Sequence, residues 1–382
     1  MIVRVWPCDT VASGSYRTIW PVQALNNAGN DDAILDYTGP TILWDRKWDR
    51  SPLDTGAQVV DMDKPEADVI VLQRPQGQYW IEIIKRLQAY GIRVVVDMDD
   101  DLMAIEPGNA AYTQFNQPNS LSHYRYTMQA CQMADLVTVT TPALASRLGN
   151  RHTAVLPNCV PAWYLSIPHV DSDQIGWPGE VGTHPNDLQV TGGVVGRYGG
   201  PIRVIGTGVK VCEGLGLCAA DRAHRKLDLK PPGRRDENGI WHSIKYECDR
   251  IDATGWVPFD HYAENVAKVG IGIVPLADSH FNRAKSALKV CELMALGVPT
   301  VASPTPDNLR MAASLDMKLR VANTPQRWHR HLSGLRKSKT LREHISGTNR
   351  ELMSKYTYGR QAWRWWDAWA SVLARKQEKV LG

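Results

Sequence analysis

The sequence has no uninterrupted apolar run of the roughly 18–20 residues that a membrane-crossing helix needs. It has no C-x-x-C pair. Its seven cysteines, Cys8, Cys131, Cys159, Cys212, Cys218, Cys248 and Cys291, are odd in number. A disulfide framework and a zinc ribbon are therefore both disfavoured. Cys212 and Cys218 lie close together, but no His or Cys pair nearby completes a metal site, so all seven are expected to be reduced. No G-x-G-x-x-G with a following ribose-binding acid comes after the first strand-like stretch, which argues against a dinucleotide-dependent oxidoreductase. No recognised nucleic-acid-binding motif occurs. The opening MIVRVWPCDT lacks the apolar core and cleavage site of a signal peptide, so a cytoplasmic protein is expected.

What is present is a globular composition. Of 382 residues, 43% are hydrophobic and 22% charged. That length exceeds one ordinary core and predicts two domains of about 150–200 residues each. The net charge of +4 conceals an asymmetry: from Lys318 onward 15 Lys and Arg face 4 acidic residues, which leaves −7 for the rest. Such a tail suits phosphates or lipid headgroups, and equally the solvated faces of terminal helices.

The first half alternates short apolar runs with helical patterns, as parallel βαβ units do. Strands are expected at Ile2–Trp6, Asp68–Gln73, Arg93–Asp97, Leu136–Thr140 and Ala154–Leu156. Helices are expected over 18–29, Tyr79–Ala89, 121–134 and Pro142–Leu148, with a turn at Ser13-Gly14-Ser15. Two prolines, Pro161 and Pro168, and little periodicity in 159–173 mark a linker. A second alternation comes after it, with strands at Ile202–Ile205, Gly270–Val274 and Thr300–Ala302 and helices at Tyr262–Lys268 and Ala287–Leu296. The polar stretch Ala219–Gly239 reads as an exposed insertion loop. The last 60 or so residues look helical; Trp363, Trp365, Trp366 and Trp369 are expected to pack, with 362, 366 and 369–370 on one face. The fold class is α/β: two Rossmann-like domains facing a cleft, 1–165 and 174–355, and a helical segment, 356–382, crossing back to the first. In such sheets ligands sit at the carboxyl ends of the strands, so motifs just after strands carry most weight.

Foremost is Phe281-Asn282-Arg283-Ala284-Lys285-Ser286-Ala287-Leu288-Lys289-Val290-Cys291-Glu292, which comes after GIGIVPL and opens a helix. Lys285, Lys289 and Glu292, at i, i+4 and i+7, would share one helical stripe. Free N–H groups at the helix start, near Ser286, and two ammonium groups suit a diphosphate. A carboxylate two turns along suits a ribose diol. The alternative is an amphipathic helix with solvated lysines. The acidic run Asp97-Met98-Asp99-Asp100-Asp101 ends a strand and points to the cleft. One of Asp99, Asp100 and Asp101 can serve as a base, hold acceptor hydroxyls, or cap the next helix. They cannot all converge on one metal ion. Arg74, just after DVIVLQ, is a further cleft candidate.

The stretch 270–303 resembles the donor segment of family 4 GT-B glycosyltransferases, where an E-x7-E motif precedes Gly-x-Pro and a strand. Glu292 matches the second glutamate, which the resemblance assigns to the nucleotide ribose. Gly297, Pro299 and TVAS match the Gly-x-Pro turn and the strand beyond it. Ala284 stands where the first glutamate is expected. Ser13-Gly14-Ser15-Tyr16-Arg17 resembles the flexible acceptor-side loop after the first strand, which implies contacts from Ser15, Tyr16 and Arg17. Ala134–Thr141 and Leu156-Pro157-Asn158 resemble the last strands of the acceptor domain. Ile175-Gly176-Trp177-Pro178-Gly179, with His184 and Asp187, resembles the donor-domain opening in a phage-like variant. That implies phosphate approach at Gly179 and a phosphate donor, or a capping group, in His184. Gly255-Trp256-Val257-Pro258 resembles the edge of the base site. The resemblance implies a retaining transfer from a nucleotide-sugar, with no cofactor or metal, and with Lys285 and Lys289 stabilising the departing diphosphate. A phage-encoded member would work in the host cytoplasm. The acceptor stays open among modified-base DNA held by the basic tail, a virion protein and a glycan. The rival is a non-catalytic nucleotide-sugar or nucleic-acid binder, which turnover separates. The oligomeric state is not legible.

Overall fold

The computed structural model describes all residues except 45–58, 117–122, 207–210, 216–233, 236–240, 243–249 and 381–382. Two six-stranded parallel sheets organise them. The first holds β1 (Val3–Trp6), β2 (Ala33–Leu35), β3 (Val69–Gln73), β4 (Arg93–Met98), β5 (Leu136–Val139) and β6 (Thr153–Val155). Its order is β2-β1-β3-β4-β5-β6. The second holds β7 (Ile175–Trp177), β8 (Ile202–Val204), β9 (Ile251–Ala253), β10 (Ile271–Val274), β11 (Thr300–Ala302) and β12 (Arg320–Val321), in the order β9-β8-β7-β10-β11-β12. Both orders reverse direction once, between β1 and β3 and between β7 and β10. Those are the points at which open sheets leave a crevice at their carboxyl ends.

The residues explain the strands. VIVLQ and RVVVDM show no polar alternation, and every residue from Val69 to Gln73 and from Val94 to Met98 is buried. Both faces of a central parallel strand are covered by helices, so a continuous β-branched run is what that position selects. The helices carry their own start signals. Thr141, Ser279, Thr305, Thr324 and Ser338 each accept a hydrogen bond from the backbone N–H three residues on. Gly297, at φ +77°, ends the helix Leu288–Ala295 in a turn that other residues rarely adopt.

After the helices Pro325–Lys337 and Lys339–Ser354, the chain returns to the first domain through Tyr358–Gln361 and Trp363–Val380. The last helix packs against β3, β4 and β5. Its buried face is Trp365, Trp369 and Val372, with Ala362 just before it; of the expected face 362 and 369 are buried, whereas 366 and 370 are only partly so, Trp365 is sealed and Trp363 is 58% exposed. Trp365 covers a buried ion pair. Arg17 donates to Asp97 through Nε at 2.9 Å and Nη2 at 2.7 Å, and its Nη1 reaches the Leu156 carbonyl at 2.6 Å and Asn158 Oδ1 at 3.0 Å. Thr138 donates to the same carboxylate at 2.6 Å, and the Trp365 ring lies 5.5 Å from the guanidinium carbon.

Several expectations are corrected. Ser13–Ser15 is not a turn: Ala12–Gly14 is already helical, and Ser15–Ile19 winds as a π-helix before Trp20–Asn27. A Cβ on Gly14 would lie 1.7 Å from the Asp9 carbonyl oxygen, so the glycine there serves close packing rather than a flexible loop. Strands β2, β9 and β12, of two or three residues, are too short to show a period. The insertion expected at Ala219–Gly239 lies outside the described residues, apart from Arg234–Arg235, which pairs antiparallel with Trp241–His242. Among the described residues Cys8, Cys131, Cys159 and Cys291 form no disulfide. Arg17→Met is expected to destabilise the protein by about 3–5 kcal/mol, because Asp97 would stay buried without its cation. Urea unfolding measures it, and a loss under ~1 kcal/mol would contradict the account.

Candidate functional site

The two sheets present their carboxyl ends to one cleft of about 180 Å³. Ser13 and Tyr16 reach it from the segment after β1, Asp99 and Asp100 from the end of β4, and Asn158 from beyond β6. His184 comes after β7, Leu276 after β10, and Asn308 after β11. Lys285, Ser286 and Lys289 complete the wall. A roomier hollow of about 520 Å³ lies at the amino ends of β4 and β5. There Arg93 is paired with Asp135 at 2.7 Å, and Asn150 donates to the carbonyls of Cys131 and Ala134. Its polar groups hold the fold together and do not converge on a ligand.

Lys285 is not on the expected stripe. It lies in extended backbone between the short helix His280–Ala284 and the helix Leu288–Ala295. Its ammonium sits 3.6 Å from Asp100 and 4.6 Å from the centre of the Phe281 ring. Lys289, the second residue of the second helix, donates to the Tyr262 hydroxyl and to Glu292 at 3.0 Å. Ser286 accepts from Asn158 Nδ2 at 3.1 Å, a bond that crosses from the first domain to the second.

Glu292 is buried beneath the cleft rather than lining it. Its Oε1 accepts from the Tyr16 hydroxyl and its Oε2 from Tyr262 at 3.3 Å, while Tyr16 and Tyr164 share a further bond of 2.9 Å. Burial, reinforced by the Glu292 charge, pushes the Tyr16 and Tyr262 phenols well above their ordinary range, so both remain donors. Tyr16, from the first domain, thus occupies the carboxylate matched to the ribose.

The aspartates divide. Arg74, held at φ +47°, donates to Asp99 and, at 2.9 Å, to Asp100. A left-handed arginine is strained, and such strain gathers at functional sites. Burial raises the Asp99 carboxyl against the pull of Arg74, and the neighbouring Asp100 charge adds to the rise. Burial also acts to raise Asp100, but Lys285 and Arg74 hold it below the usual carboxylate range. Asp101 is turned out of the cleft: it is 1% exposed, immediately precedes the 3₁₀ turn Leu102–Ala104 and pairs with Arg147. Arg17 is likewise corrected, since the Asp97 pair and two further acceptors take its guanidinium and leave nothing for an acceptor molecule. Ser15 is buried and lies outside the cleft lining.

His184 lines the cleft, and Nδ1 lies 2.7 Å from Asp187 Oδ2. Gly179 makes room for its own neighbour, because a Cβ there would lie 2.4 Å from the Trp177 ring. Trp256 is 68% exposed, and Val257 packs half-buried against the core. Neither lines the cleft. Tyr262, Asn158 and Asp187 carry roles that the sequence did not assign. Only Asp187 had a local signal, three residues from a histidine in a Gly- and Pro-rich turn.

No family model matches the chain, and no curated protein matches its sequence. Solved structures do match its fold. Sucrose-phosphate synthase from Thermosynechococcus elongatus is 13% identical over 98% of this chain and 100% of that one, with a TM-score of 0.57. A glycosyltransferase from Rickettsia africae ESF-5 is 11% identical over 97% and 98%, also at 0.57. HepE from Anabaena, solved in complex with UDP, is 11% identical over 97% and 100%, again at 0.57. The chain has the GT-B fold. At such identities the shared property is the fold alone, and the chemistry is read from the cleft.

Ala284 explains its own identity. It is 2% exposed, packs with Phe281 into the core of the first domain, and its carbonyl accepts from Thr141 at 2.9 Å. A carboxylate at this position would be buried between the domains. Ala284→Glu is therefore expected to lower stability by about 3 kcal/mol or more, as unpaired buried charges do. Thermal and urea unfolding check this, and a variant as stable as the parent would contradict the placement.

Proposed function

We propose that the chain is a retaining, metal-independent glycosyltransferase of the family 4 type, moving a sugar from a nucleotide-sugar to an acceptor hydroxyl. The observation that carries this is the cleft wall itself: Lys285, Ser286, Lys289 and His184 stand at the carboxyl ends of the second sheet, facing Asp99 and Asp100 of the first. Cations and a serine hydroxyl at that place suit a diphosphate. The matching fold of HepE, solved with UDP, supports the choice of ligand.

Each group then has a task. The diphosphate takes Lys285 from Asp100 and engages Lys289, and both ammonium groups stabilise charge that grows as the sugar–phosphate bond breaks. A ribose diol donates hydrogen bonds as a phenol does, so it replaces Tyr16 on Glu292 while Tyr262 keeps its place. Asp100, released from Lys285, is free to hold sugar or acceptor hydroxyls. The departing phosphate helps to take the proton of the acceptor. The acceptor class rests on less. Arg336 and Arg342 are paired with Asp173 and Asp171, and Arg350 donates to three main-chain carbonyls, so these three of the basic stretch's fifteen cations are already engaged within the fold. That favours a glycan or protein acceptor over DNA.

A thermal-shift panel of nucleotide-sugars is expected to show one donor that stabilises the protein by RT ln(1 + [L]/Kd). No shift with any of them would remove the reading. With that donor, Lys289→Ala is expected to lower kcat more than it raises KM, because charge on the diphosphate increases toward the transition state. A change confined to KM would make the lysine a ground-state contact. Tyr16→Phe is expected to tighten donor binding several-fold, since a competitor for Glu292 is removed; unchanged or weaker binding would contradict the exchange. Turnover is expected to survive EDTA. Loss restored by manganese or magnesium would replace this scheme with a metal-dependent one.

A further inference from the structure

Asp187 is 3% exposed, and its two oxygens have separate tasks. Oδ1 accepts from the backbone N–H of Ala277 at 2.7 Å and from Asn282 Nδ2 at 2.6 Å. Both partners belong to the segment that runs from β10 to Lys285. Oδ2 faces His184 Nδ1 at 2.7 Å. A carboxylate only accepts, so Nδ1 carries the proton and Nε2 is the nitrogen left to the cleft. Asp187 therefore ties together the two loops that come after β7 and β10, the strands flanking the reversal of the second sheet.

The imidazole is braced from the other domain as well. Ala110 N donates to the Gly182 carbonyl at 2.8 Å, and Asn109 Nδ2 donates to that of Thr183 at 2.9 Å. The ring is thus held at the cleft wall with its side chain 23% exposed. The charges around it are Asp187 on its own turn, Lys285 from the same side of the cleft and Asp100 from the end of β4 opposite, with Glu106 against the adjacent Asn186. As a brace between loops, Asp187 is already satisfied by Ala277 and Asn282. The histidine adds nothing to that brace but a nitrogen aimed at the cleft.

We propose that His184 and Asp187 form an imidazole–carboxylate dyad that grips the donor diphosphate: Nε2 touches phosphate, and Asp187 is the positioning residue. This rests on the nucleotide-sugar reading of the cleft. The diphosphate oxygens only accept, so the ligand selects the ring with hydrogen on Nε2 as well. Both ring nitrogens then carry hydrogen, one directed to phosphate and one to Asp187. No covalent bond changes.

The test is isothermal calorimetry with UDP, GDP, ADP and inorganic diphosphate at about pH 7.5, in two buffers of different ionisation enthalpy, so that proton uptake is read along with affinity. The wild type is expected to bind at least one nucleoside diphosphate with net proton uptake. His184→Gln is expected to abolish the uptake and weaken binding by about tenfold. Asp187→Asn, with an unchanged circular dichroism spectrum, is expected to reduce both. If Asp187→Asn fails to fold, His184→Gln decides alone, since a purely structural histidine would not move the proton count. Wild-type binding with uptake that persists in His184→Gln overturns the dyad and leaves the donor reading standing. A wild type that binds none of the four probes overturns both.

Discussion

The buried pair between Arg17 and Asp97 is the constraint on which the rest of the arrangement depends. One guanidinium reaches the end of β4, the chain after β6 and, through Trp365, the helix that returns from the second domain. Two ions taken out of water are tolerated only when each remaining lone pair and proton finds a partner. Here Thr138, Asn158 and the Leu156 carbonyl supply those partners. The consequence runs into the cleft. Asn158, fixed by Arg17, donates to Ser286 beside the two lysines. A residue that touches no ligand thereby sets where the two halves meet.

The cleft is a charge network whose members neutralise one another. Arg74 holds Asp99 and Asp100, Asp100 holds Lys285, and Glu292 holds Lys289 and two tyrosine hydroxyls. Two of these contacts resemble ones that a nucleotide-sugar would make. Phosphate resembles Asp100 to Lys285, and ribose resembles Tyr16 to Glu292. A ligand that exchanges like for like need not leave a buried charge unpaired at any stage, which is the costly alternative.

Much of the fold was legible because its central strands are continuous apolar runs and its helices open on proline and hydroxyl caps. Pro142–Leu148 and Thr300–Ala302 fall where the pattern puts them. What failed has physical causes. Ser13–Ser15 reads as a turn because serine and glycine compete with helix locally, yet Gly14 is required by the Asp9 carbonyl. Lys285, Lys289 and Glu292 have helical spacing, but the chain breaks at Lys285, and spacing cannot see a break between two short helices. Arg17 and Asp101 are expected at the cleft from their places after the first strand and at the end of the acidic run; each is instead buried with a partner distant in sequence. The tyrosines around Glu292 come from three separate elements, and no local pattern joins them.

The central claim is that the diphosphate of a nucleotide-sugar lies at the carboxyl end of the second sheet. A crystal structure with the stabilising donor tests it most directly. The account predicts phosphate oxygens within hydrogen-bond distance of Lys285, Lys289 and His184 Nε2, with the ribose on Glu292 and Tyr16 withdrawn. Donor density elsewhere, such as the hollow beside Arg93, with the Lys285–Asp100 pair intact, would contradict it.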